Sequence, residues 1–202
     1  MFPPFDAVIG STPCPFAAGA NVGNAPGWDP GRSDNWASIA DSLRRWVHSA
    51  KTDHSHGFVI QVGDRDPSDF DGVRLAFRVA LEELNRLDSS GSDCLRGELD
   101  VPGWQFEFEG VRLFANVFAP CYPPAHSKSL EDPDHFYIFF QPDFSFGLCG
   151  ITRENREIKT AIRRRFEEGG RPYGGDLIDR RIEAEIYMFP MHIDDAPVRW
   201  WE

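Results

Sequence analysis

The stretch WQFEFEGVRLFANVF, residues 104–118, decides the fold class. Apolar and polar residues alternate on both sides of Glu109-Gly110, as they do in strands whose successive side chains point to opposite faces. Glu109-Gly110 has the composition of a tight turn between two such strands. The stretch therefore predicts a β-hairpin, which requires a sheet with antiparallel strands.

The elements around the hairpin are predicted from apolar spacing and from breaks at Gly, Pro and Ser. Apolar residues recur every three or four positions in three segments, which predicts helices, and short apolar runs predict buried strands. This pattern indicates an α+β fold, in which helices pack against one mainly antiparallel sheet. In chain order the predicted elements are a helix over 34–51, a strand over 58–62, a helix over 69–88, the hairpin, a strand over 136–140, a helix over 152–168 and an extended segment over 186–191.

Length and composition indicate a single domain over residues 1–202, because a chain of 202 residues is typical of one hydrophobic core. Residues 1–33 are rich in Pro, Gly, Asn and Ala, and they are predicted to form a loop-rich N-terminal arm. The sequence leaves open whether two copies form a homodimer.

The acidic balance of the chain restricts its partners. Lys and Arg number 21 against 32 Asp and Glu, which gives a formal net charge of −11. Because nucleic-acid affinity depends largely on Lys and Arg replacing counterions, neither nucleic acid nor an anionic membrane surface is an expected partner. The sequence also shows no apolar run of about 18 residues and no signal-peptide pattern, which predicts a cytoplasmic protein.

Common sequence signatures of catalysis are absent. The motifs GxGxxG, GxxxxGK[ST], GxSxG and HExxH do not occur, so nucleotide binding, serine hydrolysis and zinc proteolysis have no support. The four cysteines are far apart, and none forms the Cys-x-x-Cys pair of a structural zinc or thiol-redox site. A cysteine that matters for function therefore acts alone.

Two proline-rich loop segments carry the candidate cofactor ligands. His126 lies in the segment 119–129, beside Cys121, where a neutral imidazole could coordinate a metal or haem iron. Cys14 lies between two prolines and is either a buried packing residue or a thiolate ligand. The alternative for His126 is likewise a structural role, and the sequence leaves these alternatives open.

Three consecutive arginines, Arg163, Arg164 and Arg165, form the densest basic run of the chain. Such a run is usually a solvated helix face. Its alternative role is to pair with the carboxylates of an anionic cofactor, because guanidinium groups bind carboxylates through two parallel hydrogen bonds.

Four segments resemble the YqcI/YcgG family in the same order: PCPFA at 13–17, WQFEF at 104–108, APCYP at 119–123 with the following His126-Ser127, and FFQPDFSF at 139–146. The resemblance extends from about Pro13 to Pro190. Members of that family include haem-dependent oxygenases that hydroxylate a nitrogen of arginine-like guanidines or amines in specialised-metabolite biosynthesis. The resemblance therefore implies haem b as the cofactor, O2 as co-substrate, a small cationic amine or guanidine as substrate, and an external electron donor.

The resemblance also implies roles for individual residues. His126 is the first choice for the haem-iron ligand, with Cys14 and Cys121 as alternatives. Lys128 is a further candidate for cofactor binding; it stands where an arginine is expected, and a lysine pairs with a carboxylate only as a point charge. The candidate partners of the haem carboxylates are Arg163, Arg164 and Arg165, and the candidate binding residues for a cationic substrate are Asp143 and Glu107.

Two other classes of function remain open at this point. One is a haem-binding or small-ligand-binding protein without turnover, because binding a cofactor does not establish catalysis. The other is a structural domain in which the cysteines and histidines only pack.

Overall fold

Five strands form one sheet within the part of the chain that this computed structural model describes, which is residues 2–29, 31–63, 66–152, 155–174, 182–192 and 194–202. The strands are β1 Val22–Asn24, β2 Gly57–Val62, β3 Phe106–Phe108, β4 Val111–Phe118 and β5 Phe136–Pro142. They lie side by side in the order β1-β2-β5-β4-β3. β1 pairs with β2 in parallel and the other neighbours are antiparallel, so the prediction of a mainly antiparallel sheet is confirmed.

The predicted hairpin is present as β3 and β4, which are joined at Glu109-Gly110. The backbone angle φ is +52° at Glu109 and +74° at Gly110. Two consecutive positive φ angles are typical of the two-residue turns whose twist matches that of the adjoining strands. The local sequence therefore determines both the turn and the register of this pair.

Helices pack on both faces of the sheet, and the predicted α+β fold is confirmed. The helices are α1 Pro3–Ser11, α2 Asn35–Ala50, α3 Phe70–Leu87, α4 Asp143–Leu148, α5 Arg156–Glu168 and α6 Glu183–Tyr187. The apolar stripes of α2 and α3, which include Leu43 and Phe77, are buried in the main core on one face. The carboxylate of Asp69 caps α3 by accepting hydrogen bonds from the backbone of Asp71 at 3.2 Å and Gly72 at 3.1 Å. Among the described residues no helix is long and apolar enough to cross a membrane.

The N-terminal arm differs from its prediction, because Pro3–Ser11 forms a helix rather than a loop. Proline is favourable at the first helical positions, where its missing N–H leaves no hydrogen bond unmade. Phe5 anchors α1 on the second face of the sheet, with its ring centroid 5.5 Å from that of Phe118 and 5.4 Å from that of Phe139. Packing against distant residues therefore stabilises a helix that local composition does not reveal.

The extended segment predicted over 186–191 is wrong at its first two residues, which belong to α6. This helix brings the Tyr187 hydroxyl into the core, where it donates to the Leu113 carbonyl at 2.8 Å and accepts from the Phe106 N–H at 3.0 Å. Residues 188–191 form no strand in the described part of the chain. The sequence pattern also does not predict α4, because its six residues are too few to show an apolar period.

Candidate functional site

The proline-rich segment 119–129 is held by its own backbone hydrogen bonds. The Ala119 N–H donates to the Lys128 carbonyl at 3.1 Å, so the segment returns to the end of β4. Within the segment, the His126 N–H donates to the Pro123 carbonyl at 2.8 Å, and the Ser129 N–H donates to the His126 carbonyl at 3.1 Å. Because prolines in the segment also fix φ, the loop presents His126 and Lys128 in defined positions.

The His126 ring is half-buried, and it makes two aromatic contacts and a hydrogen bond. It stacks on Tyr122 with ring centroids 4.3 Å apart and planes 4° from parallel, and it meets Phe189 edge-on at 6.2 Å. Its Nδ1 accepts a hydrogen bond from the Lys128 backbone N–H at 3.1 Å. Burial and the charge of Lys128 lower the pKa of His126 to about 4, although a hydrogen bond with the Pro190 backbone acts in the opposite direction. The imidazole is therefore neutral at pH 7.

The Lys128 side chain lies in an aromatic cage, which consists of Asn116, Phe118, Tyr173 and Phe189. The ammonium nitrogen lies 4.7 Å from the ring centroid of Phe118 and 5.0 Å from those of Tyr173 and Phe189. It donates a hydrogen bond of 2.5 Å to Asn116 Oδ1. Lys128 is 3% exposed, and burial lowers its pKa to about 7. Cation–π contacts and one amide oxygen thus hold an amine that has no carboxylate partner in the described part of the chain.

A cleft of about 250 Å³ opens beside His126. Prolines and alanine form much of its wall, and four side chains with lone pairs or charge face it. The lining residues are Pro123, Ala125, His126, Pro172, Met191, His192 and Asp194. Two imidazoles, a thioether and a carboxylate therefore share one small, largely apolar cleft, with the caged amine of Lys128 behind it.

Two more of the predicted residues, Cys14 and Arg163, lie in this region. The half-buried thiol of Cys14 interacts electrostatically with Lys128 and with Tyr173. Burial raises the pKa of Tyr173, as do Cys14 and Glu183, whereas Arg163 acts to lower it. Cys14 thus lies near both Lys128 and Tyr173, and Arg163 lies near Tyr173.

Cys121 and two of the three arginines lie elsewhere. The Cys121 N–H donates to the Pro67 carbonyl at 3.1 Å, just before α3, and burial raises the pKa of its thiol to about 12. Arg164 pairs with Glu168 at 3.6 Å on the exposed surface of α5, and Arg165 is exposed as well.

The two acidic residues predicted to bind substrate lie away from the cleft. Asp143 is the first residue of α4, directly after β5, and Glu107 lies in the edge strand β3. Along β5, Tyr137 pairs with Phe118 of the aromatic cage, and Asp143 follows six residues later. At about 3.3 Å per residue that separation is roughly 20 Å. The structure does not bring Asp143 and Glu107 together with His126.

Residues that sequence reasoning misses come from segments far from the 119–129 loop. Met191, His192 and Asp194 line the cleft, and Tyr173 completes the cage around Lys128. The adjacent Met191-His192 pair joins two ligand-type side chains, and that signal could have marked the segment. Tyr173 carries no local signal, because its contact with Lys128 exists only in the folded chain.

The fold and the cleft define a small α+β protein with two imidazoles at an apolar cleft and a caged amine behind one of them. The model of the YqcI/YcgG family matches residues 9–178. The chain therefore belongs to the YqcI/YcgG family, which confirms the resemblance of the four segments. No curated protein and no solved structure matched the chain.

The cleft holds side chains of the types that bind haem iron, but it is too small to enclose the cofactor. The described residues contain no group of three or more His, Cys, Asp or Glu side chains that could hold a metal ion. In haem the macrocycle supplies most of the ligands, so the protein adds only an axial imidazole, thiolate or thioether. A cleft of about 250 Å³ is below the range of roughly 300–1,000 Å³ that encloses drug-sized ligands. A porphyrin ligated here would therefore extend beyond the cleft.

Proposed function

We propose that this protein is a haem-dependent N-oxygenase, which hydroxylates a nitrogen of a small cationic amine or guanidine with O2 and electrons from an external donor. The observation that supports the proposal is the cleft, where His126, His192 and Met191 lie together between apolar walls. Imidazole and thioether are both axial ligands of haem iron. The reaction class is the one that the family resemblance implies.

Haem, when bound, would supply the site at which O2 binds and is reduced. The overall reaction converts one N–H group, O2, two electrons and two protons into N–OH and water. The protein's own part is to present a neutral imidazole and to bind the cationic substrate in the cleft. Burial and the charge of Lys128 lower the pKa of His126 to about 4, so this ring is neutral at pH 7.

The basic residues divide between direct and indirect roles. Arg163, half-buried near Tyr173, is the best placed of the three consecutive arginines to pair with a haem carboxylate, whereas Arg164 and Arg165 face solvent. The Lys128 ammonium is enclosed by rings and by an amide, so it adds positive charge behind the cleft without reaching a ligand there.

Asp194 is the best placed acidic residue for a cationic substrate, because it lines the cleft and is exposed. The predicted substrate-binding residues Asp143 and Glu107 lie away from the cleft. The net charge of −11 adds a long-range attraction for a cation.

The test is reconstitution of the full-length protein with haem, followed by turnover. The absorption spectrum is recorded with and without haem, and the loaded protein is then given a reductant, isotopically labelled O2 and a panel of small guanidines and amines. We expect a Soret band near stoichiometric occupancy and a product that carries one labelled oxygen on nitrogen. Absence of the Soret band contradicts the proposal. A Soret band without substrate-dependent O2 uptake supports the alternative of a haem-binding protein without turnover.

A further inference from the structure

We propose that Cys14 and Lys128 form a reversible redox-modification site, in which hydrogen peroxide oxidises the thiol and the buried amine then closes a sulfur–nitrogen bond, a sulfenamide. The bond would join the N-terminal arm to the 119–129 loop. The site needs neither haem nor a substrate, so its test is independent of the proposed function. Its basis is that a half-buried thiol lies near an amine that has no carboxylate partner in the described part of the chain.

The segment that follows α5 brings the thiol and the amine to the same place. A Cβ on Gly169 would lie only 2.8 Å from Pro13 Cγ, so the Pro13 ring packs directly on this glycine. Further along the same segment, the Tyr173 ring centroid lies 5.0 Å from the Lys128 ammonium nitrogen. Cys14 directly follows Pro13, and it interacts electrostatically with both Lys128 and Tyr173. Packing around residues 169–173 therefore holds the thiol beside the caged amine.

The surroundings of Lys128 leave its amine available as a nucleophile. Three aromatic rings and the Asn116 amide enclose the nitrogen, and no carboxylate among the described residues holds a proton on it. Burial lowers the pKa of Lys128 to about 7, although Cys14 acts in the opposite direction. A substantial fraction of the amine is therefore unprotonated at neutral pH, and desolvated lysines of this kind act as nucleophiles in other proteins.

The charges around the four thiols single out Cys14. Thiolate rather than thiol reacts with peroxide, and a cationic neighbour such as Lys128 favours the thiolate. Burial and nearby acidic groups instead raise the pKa of Cys94 to about 11 and that of Cys121 to about 12. Burial, together with the charge of Cys14 itself, raises the pKa of Cys149. Cys14 should therefore be oxidised first.

The modification has two balanced steps. In the first, the Cys14 thiol and hydrogen peroxide give a sulfenic acid and water, so sulfur loses two electrons and the peroxide gains them. In the second, the Lys128 nitrogen attacks the sulfenic sulfur, the S–N bond forms, the S–O bond breaks, and the hydroxide leaves with an amine proton as water. Sulfenic acids condense with backbone nitrogen in the same way. A thiol reductant restores the thiol and the amine and is itself oxidised to a disulfide.

The experiment treats the reduced full-length protein with equimolar hydrogen peroxide and maps the product by peptide mass spectrometry without a reductant. We expect one cross-linked pair of peptides, which contains Cys14 and Lys128 and has the summed mass of the two peptides minus two hydrogen atoms. Cys94, Cys121 and Cys149 should remain free to react with a maleimide. Dithiothreitol should then restore the two separate peptides.

Variants distinguish the role of the amine from mere exposure of the thiol. Lys128→Met, with its fold checked by circular dichroism, should lose the cross-link and leave a Cys14 sulfenic acid that dimedone traps. Cys149→Ser should form the cross-link as the unmodified protein does, because Cys149 takes no part in it. Lys51→Met removes an exposed amine of α2 as the matched control and should change nothing.

The peptide map of the unmodified protein decides the proposal even if the Lys128 variant does not fold. Recovery of Cys14 as a free thiol or as a sulfinic acid, without the cross-linked peptides, overturns it. A disulfide between Cys14 and Cys149 overturns it as well, and so does a cross-link that contains an additional oxygen atom between sulfur and nitrogen.

Discussion

At Lys128 the cost of burying an ionisable group is offset by three aromatic rings and one amide oxygen, and no carboxylate among the described residues pairs with it. We expect Lys128→Arg to lower the free energy of unfolding by about 3 kcal/mol, because a guanidinium is larger and cannot lose its proton. Urea unfolding at pH 7 measures the change, and Lys51→Arg at the exposed end of α2 is the matched control. Equal stability of the two variants would contradict the role of the cage.

The same amine makes stability depend on pH. The pKa of Lys128 is about 7 in the folded protein and about 10.4 in an unfolded chain. Between these values the unfolded chain holds more protons, so this residue makes the free energy of unfolding rise with pH. Below pH 7 both states are protonated and the full cost of the buried charge applies.

Lys128→Met should therefore change the pH dependence of stability. From pH 7 to pH 9 the wild type should gain up to about 2–3 kcal/mol relative to the variant. The measurement is the free energy of unfolding of each protein at pH 7 and at pH 9. Tyrosines and cysteines titrate in both proteins, so their contribution cancels when the two pH-dependent changes are compared. Parallel stability curves for the two proteins would show that Lys128 does not titrate in this range.

At the scale of elements, Glu109 joins the β3–β4 hairpin to the helical layer. Its carboxylate accepts from Arg44 Nε at 2.7 Å and from the Ser89 hydroxyl at 2.6 Å, and its side chain is 6% exposed. Burial opposes ionisation, but the hydrogen bonds from Ser89 and Arg44 outweigh it and lower the pKa of Glu109 to about 2. The stabilisation is thus present above the unfolded pKa of about 4.3 and is lost as the pH falls toward 2.

Glu109→Ala should destabilise the protein by about 2–3 kcal/mol, since it leaves a partly buried guanidinium without this partner. Asp41→Ala is the control, because Asp41 pairs with the same Arg44 but its side chain is 60% exposed. An exposed pair contributes about 0–1 kcal/mol. Thermal or urea unfolding compares the two variants, and a cost for Asp41→Ala as large as that for Glu109→Ala would refute this difference.

Local sequence predicts the hairpin, α2 and α3, because the residues that determine each of these elements lie close together in the chain. Alternation around Glu109-Gly110 fixes a turn, and the apolar stripe of α3 with its cap at Asp69 fixes a helix. Helix α1 and the short helix α6 depend instead on tertiary partners: Phe5 packs on the second face of the sheet, and Tyr187 bonds to two backbone groups of the hairpin. The sequence near Phe5 and Tyr187 does not indicate these tertiary contacts.

At the scale of the molecule, the site is only partly encoded in one segment. The sequence identifies His126 and Lys128 because the proline-rich loop that carries them is a local feature. The rest of the cleft comes from residues near Pro172 and Met191, more than 40 positions further along the chain. Their approach depends on how α5 and α6 pack, which no local pattern reports. For the same reason the sequence leads to Asp143 and Glu107, and not Asp194, as the predicted substrate-binding residues.

The charge of the whole molecule leads to a final prediction about the proposed substrate. A net charge of −11 attracts a small cation. The range of this attraction decreases with salt, because the screening length falls from about 30 Å at 0.01 M to about 8 Å at 0.15 M. Affinity for a guanidinium ligand, measured by calorimetry on the haem-loaded protein, should therefore decrease with salt.

The contribution of Asp194 should be separable from that field. Asp194→Asn and Asp143→Asn remove one negative charge each, so they change the long-range attraction by nearly the same amount. Only Asp194 lines the cleft, and its removal should weaken binding further by about 2- to 5-fold, which corresponds to an exposed ion pair of about 0.4–1 kcal/mol. Equal affinities of the two variants would mean that the cation is bound outside the cleft, and the acidic partner would then have to be sought near Asp143 and Glu107.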